Sequence, residues 1–146
     1  MQIFLISEKP IDTAMALDPK RLNKQILECD WIINGWKNQT KSTNHPIAKM
    51  YKDHLEWVEL YKNCLKSWRE NRPTEAAKYS VLAERLTPNF LCQDYYDNFK
   101  RRLYTKDQKF YKQFEEYGTT YENWYYLDGV WKIYVNGKCV GEKQEA

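Results

Sequence analysis

The residues best equipped for chemistry lie in one short run, Leu17-Asp18-Pro19-Lys20-Arg21-Leu22-Asn23-Lys24-Gln25-Ile26-Leu27-Glu28. On a helix turning about 100° per residue, Asp18, Arg21, Gln25 and Glu28 share one stripe. That stripe lies beside the apolar one of Leu22, Ile26, Cys29 and Ile33. Its long polar side chains therefore sit at the margin of the core, where they need partners. A binding cleft would supply them, and a carboxylate among cations suits acid–base work or imine chemistry through an amine. An intrahelical network, Asp18 with Arg21 and Lys24 with Glu28, accounts for the same spacing. Lys20 and Lys24 point from the flank toward solvent, where they could meet phosphates.

Two other clusters have the right residue types. His45-Pro46 follows a polar loop and opens a helix whose first turns carry Lys49 and Lys52. His45 either caps that helix or contacts a phosphate or base at its N-terminus. Further on, Lys100, Arg101, Arg102, Lys106 and Lys109 interleave with Tyr95, Tyr96, Phe99, Tyr104, Phe110 and Tyr111. Cations with aromatics suit a DNA backbone and its bases, although most of these rings also fit the core of an amphipathic helix. The chain has no Gly-rich phosphate loop, no GxSxG elbow and no HExxH pair.

The elements that must position these groups read as mostly helical. Residues 2–6 form an apolar extended lead, and Ile11–Leu17 a short helix. Asp18, as a capping carboxylate, and Pro19 start a long helix that runs to about Gly35. A polar loop covers residues 37–44. A second long helix runs from Pro46 to about Asn71 on a stripe of Ile47, Met50, Tyr51, Leu55, Val58, Tyr61, Leu65 and Trp68. Pro73 and Pro88 bracket a shorter helix over Glu75–Leu86, and helical stretches follow over Gln93–Tyr104 and Lys106–Tyr117. Asp128-Gly129 and Asn136-Gly137 then separate short β-forming runs, predicting an antiparallel meander over 125–140. The expected fold is a compact helical single domain, residues 1–146, with a small C-terminal β-meander.

Bulk properties bound the class. With 16% aromatic residues the chain is too rich for disorder, and a net charge of +3 permits a nucleic-acid partner without indicating one. Neither a leader peptide nor a membrane span is read at the N-terminus. Cys29, Cys64, Cys92 and Cys139 form no CxxC pair, so free thiols are expected and a zinc site is not.

Met1-Gln2-Ile3-Phe4-Leu5, the run Ala16–Gln25 with Glu28, and Asn44-His45-Pro46 with Lys49-Met50 resemble the pyrimidine-dimer DNA glycosylase (endonuclease V-like) family. They are most similar to its small bacterial and phage branch. Pro88-Asn89-Phe90-Leu91 and Lys106–Tyr111 extend the likeness to about residue 127, leaving 128–146 as a hairpin tail. The resemblance implies a glycosylase with abasic-site lyase activity, in which an N-terminal amine attacks the sugar and a glutamate stabilises the charged intermediate. Large Gln2 implies that Met1 is retained, so the nucleophile would be the Met1 amine, or else Lys20 or Lys24. Glu28 is the residue assigned to the glutamate's role, with Arg21 beside it. Lys20, Lys24, Gln25, His45, Lys49, Arg101, Arg102 and Lys106 would bind duplex DNA. No metal or organic cofactor is expected, and the protein would act as a cytoplasmic monomer in a bacterial or phage-infected cell. A DNA binder that has lost the chemistry, or an interaction module built on the meander, are the alternative readings.

Overall fold

A computed structural model describes residues 2–143. The chain divides into two compact units, Met1–Pro88 and Asn89–Ala146. The division follows Thr87-Pro88, one of the proline breaks visible in the sequence. The first unit holds α1 (Pro10–Ala16), α2 (Pro19–Asn38), α3 (Pro46–Met50), α4 (Leu55–Arg69) and α5 (Pro73–Glu84). The second holds α6 (Gln93–Lys106) and the strands β1 (Asn123–Leu127), β2 (Val130–Val135) and β3 (Lys138–Lys143).

In the first unit α4 packs against α1, α2 and α5. Leu22, Ile26, Cys29 and Ile33 of α2 are all buried, as their spacing requires, and so are Val58, Tyr61 and Leu65 of α4. The extended lead contributes Ile3 and Leu5, both fully buried. Lys62 of α4 meets Asp30 of α2 at 3.0 Å. Burial opposes the Lys62 charge, but the hydrogen bond to Asp30 and the charges of Asp30 and Glu59 together raise its pKa above the usual lysine value. Burial pushes the Cys64 thiol up to about 12 and Cys29 well above its usual value, so both remain neutral core groups.

Several expectations need correction. Asp18 occupies the N-cap of α2, but its carboxylate bonds Arg21 instead of capping the first turn. The helix also passes Gly35 and ends at Asn38, with Gln39 in the left-handed conformation. Gly35 serves close approach and not termination, since a Cβ there would lie 2.3 Å from Ser42 Oγ in the following turn.

The long helix expected from Pro46 to Asn71 is interrupted by a 3-10 turn over Lys52–His54. On a straight helix Tyr51 and Trp57 would point in different directions, about 120° apart. The break lets Tyr51, Trp57 and Tyr61 stack, at 5.5 and 5.1 Å between centroids and nearly parallel. The continuous helix expected over Lys106–Tyr117 is also absent. The Asp107 carboxylate accepts from Phe110 N–H at 3.0 Å, and a 3-10 segment follows over Lys112–Tyr117. A short side chain that bonds the backbone in this way competes with helix continuation.

In the second unit β1, β2 and β3 form an antiparallel meander in sequence order. Asp128, Gly129, Asn136 and Gly137 all have positive φ, as two-residue primed turns require. Asn98 of α6 bonds both ways to the backbone of Glu122, donating to its carbonyl at 2.7 Å and accepting from its N–H at 2.9 Å. Tyr95 stacks on Trp131 of β2 at 5.2 Å. No described helix is long and apolar enough to cross a membrane.

The ring stack of the first unit yields a test. Trp57 is fully buried and its indole N–H has no partner among the described residues. Trp57→Ala should cost about 3–5 kcal/mol, whereas Trp57→Phe keeps a stacking ring, removes the orphaned donor and should cost less than about 1.5 kcal/mol. Urea unfolding followed by far-UV circular dichroism measures both.

Candidate active site

Gln25 organises the amino end of the chain. It lies on the stripe of α2 that borders the core and is 1% exposed. Its Oε1 accepts from Phe4 N–H at 2.9 Å, and its Nε2 donates to the Gln2 carbonyl at 2.7 Å. The side-chain amide thus pairs with the lead as a neighbouring strand would. The same Nε2 donates to Glu28 Oε2 at 2.8 Å. From α4, the Tyr61 hydroxyl donates to the Phe4 carbonyl at 2.5 Å and stands 3.1 Å from Gln25 Oε1. Glu28 is consequently oriented by the group that holds the first residues of the chain, and it is only 9% exposed. Met1, the candidate nucleophile, lies outside the described residues, but its chain neighbour Gln2 is held against this carboxylate's partner.

Arg21 and Asp18 form an ion pair at 3.1 Å on the same stripe, with 22% and 13% of their side chains exposed. Of the two arrangements open from the sequence, the Asp18–Arg21 pair forms within the helix, while Glu28 takes the Gln25 amide. Lys20 and Lys24 are exposed on the flank.

His45 caps α3, its Nδ1 accepting from Ile47 N–H at 3.1 Å, and its ring packs T-shaped against Trp31 with centroids 5.7 Å apart. The capping reading therefore describes it. Partial burial lowers its pKa below the usual histidine value, which keeps the imidazole neutral and Nδ1 able to accept. Lys49 is exposed at the end of α3.

The remaining candidates lie in the second unit. Arg102 is turned toward β1 and its approach, bonding Asn123 Oδ1 and covering the Tyr121 ring at 5.4 Å. Arg101 is half-buried and Lys106 exposed. Tyr95, Tyr96, Phe99 and Tyr111 are core, while Phe110 is half-exposed. Among the described residues no group of His, Cys, Asp or Glu is arranged to hold a metal ion.

Sequence reading missed two participants. Tyr61 counts as a core residue on its helical stripe, and only its hydroxyl group hints at a polar task. Gln2 sits in an apolar lead, yet it is 2% exposed and both polar atoms of its side chain lack partners among the described residues. A polar residue alternating with Ile3 at the start of a buried lead was the available signal.

The two glutamines should respond to substitution with opposite signs. Gln25→Leu strands the Gln2 carbonyl, the Phe4 N–H and one Glu28 contact, and should lower stability by about 3 kcal/mol. Gln2→Leu removes a buried amide without partners and should raise it by about 1 kcal/mol. Chemical denaturation of both variants checks the pair.

A pH dependence follows from the cap. With its folded pKa below about 6.5, His45 binds fewer protons folded than unfolded in that window. Its contribution is complete above the unfolded value and is lost as pH falls through the folded one. His54, whose pKa burial also lowers, acts in the same sense. Stability should therefore rise from pH 5 to 7.5, and His45→Asn, which keeps a capping acceptor, should flatten part of that rise in urea midpoints.

The structure thus joins the Glu28 carboxylate to the Gln2 carbonyl through one side-chain amide. The model of the pyrimidine dimer DNA glycosylase family matches residues 1–73, half of the chain. The matched part includes the lead, the Asp18–Glu28 stripe, His45 and Tyr61. The likeness read over 74–127 falls outside it. No curated protein and no solved structure matches the chain significantly. By the extent of that match and the residues it contains, the chain belongs to the pyrimidine dimer DNA glycosylase family.

Proposed function

We propose that the protein is a DNA glycosylase and abasic-site lyase that acts on damaged or modified duplex DNA through an amine nucleophile. The observation that carries this reading is the Gln25 amide, which holds both the Gln2 carbonyl, one residue from the terminal amine, and the Glu28 carboxylate. An α-amine has a pKa of about 8, so a usable fraction is neutral near pH 7. The Met1 amine would attack the sugar C1′ while the bond to the base breaks, the base leaving with the electron pair. Ring opening would give an imine at C1′. Loss of a C2′ proton would expel the 3′-phosphate and cut the strand, and water would release the amine.

Glu28 would stabilise the cationic, oxocarbenium-like sugar as the base departs. Gln25 touches no substrate in this scheme and acts as a positioning residue. Arg21 would face the site with its charge steadied by Asp18. Lys20, Lys24 and Lys49, all exposed, suit phosphate contacts, as do Arg101 and Lys106 of the second unit. Arg102, with its guanidinium engaged at Asn123 and Tyr121, would contribute less. The family's name points to pyrimidine dimers as the first substrate to test.

Borohydride trapping on a duplex with an abasic site, followed by peptide mapping, tests the proposal. The expected result is an adduct on the Met1 amine. An adduct on Lys20 or Lys24 would keep imine chemistry and move the nucleophile. Glu28→Gln should slow strand cleavage by about 100-fold or more while the protein still binds the duplex. Tight binding with no adduct at high protein concentration would overturn catalysis in favour of a DNA binder on the same scaffold.

A further inference from the structure

The exposed face of α2 that carries Lys20 and Lys24 also carries Leu27 and Trp31, which the glycosylase reading does not use. At about 100° per residue, Lys20, Lys24, Leu27, Trp31, Asn34 and Asn38 fall within an arc of about 80°. Together they make one row about 27 Å long, next to the stripe of Arg21, Gln25 and Glu28. Lys20, Lys24, Asn34 and Asn38 are exposed and Trp31 is half-buried. Leu27, in the middle, is 68% exposed. A large aliphatic side chain at that exposure gains nothing from the fold. Met15 is similarly exposed, but its helix, α1, carries no cation and no buried carboxylate, and Val140 lies on the strand β3.

The surroundings narrow the occupant. No position in the row is acidic, and the two lysines on one side of Leu27 make it locally cationic. On the other side Trp31 borders an open groove of about 440 Å³, lined also by Asn34, Asn38, Thr40, Lys41 and Ser42 and by no carboxylate. Cations, then an apolar point, then an aromatic ring and amide groups match a nucleic-acid strand with its phosphates, a base step and bases in turn. They match an apolar protein surface poorly.

We propose that Leu27 is a wedge that enters the base stack at the lesion, with Trp31 receiving the face of the base so exposed. This rests on the DNA reading above and says how a duplex would be opened for Glu28. C1′ of a stacked nucleotide is shielded, and apolar wedges such as Leu part base steps and kink duplexes. Aromatic side chains hold unstacked bases with little regard to sequence. Leu27 and Glu28 lie on adjoining faces of α2, about 100° apart, so a step parted on the exposed face would lie on the flank where the carboxylate sits.

The test uses the full chain and a duplex with a tetrahydrofuran abasic-site analogue next to 2-aminopurine, whose fluorescence rises on unstacking. The intact protein should raise the signal on binding. Leu27→Ala, at an exposed position that the core does not need, should lower the saturated rise by about fivefold or more. On duplexes carrying a pyrimidine dimer it should also lower, by about tenfold, the ratio of cleavage when fully paired to cleavage when already opened by a bulge. Lys20→Ala with Lys24→Ala should weaken binding and reduce its salt slope by about two, with the saturated signal kept. Leu27→Ala with an unchanged signal and ratio would overturn the wedge while leaving the glycosylase reading standing. Failure of the intact protein to bind the duplex would overturn both. Binding with no cleavage of a duplex carrying a pyrimidine dimer or a natural abasic site would overturn catalysis alone, and the fluorescence rise on the tetrahydrofuran duplex would then decide for or against the wedge.

Discussion

A single side-chain amide holds the amino-terminal lead against α2. Gln25 offers one acceptor and two donor hydrogens, and it uses them on Phe4 N–H, the Gln2 carbonyl and Glu28. A buried lead of a few residues cannot satisfy its own peptide groups, because it has neither a strand beside it nor water above it. The amide substitutes for the missing strand. Its placement depends on the stripe geometry of α2, and Tyr61 closes the arrangement from α4, where the Tyr51–Trp57–Tyr61 stack fixes that residue's ring. Core packing and site geometry are therefore one problem in the first unit.

The second unit solves a related problem by the same means. Asn98 projects from α6 and pairs with both peptide groups of Glu122, on the approach to β1. In each unit a helix-borne amide captures a segment that has no ladder partner at that point. Amides suit the task because they carry donor and acceptor at the spacing of a peptide group and need no counter-charge when buried.

Much of this was legible in the sequence and some was not, for identifiable reasons. The α2 stripe, the buried Leu22–Ile33 series and both hairpin turns follow from local periodicity and turn chemistry, which depend on near neighbours. The interruption at Lys52–His54 was hidden because Tyr51 and Val58 continue an unbroken apolar stripe, and only the stacking of rings from separate turns favours the break. Gln25 was placed at the core margin by spacing. Its partners, 21 to 36 residues away in Phe4, Gln2 and Tyr61, have no local signature. Glycine at position 35 was read as punctuation because a helix end and a close approach look alike without the Ser42 turn that comes against it.

The wide separation between the lead and its anchors has a consequence for how the protein is made. The lead leaves the ribosome before its anchors, since Gln25 follows Phe4 by 21 residues and the Tyr61 hydroxyl contacts Phe4 across 57. At synthesis rates of about 5–20 residues per second, the lead spends several seconds without its anchors. During that interval the peptide groups of Gln2 and Phe4 have only water as a partner. Anchoring therefore trails synthesis of the lead, and a stall between residues 6 and 61 would leave Gln2 and Phe4 without the full set of groups that pair with them.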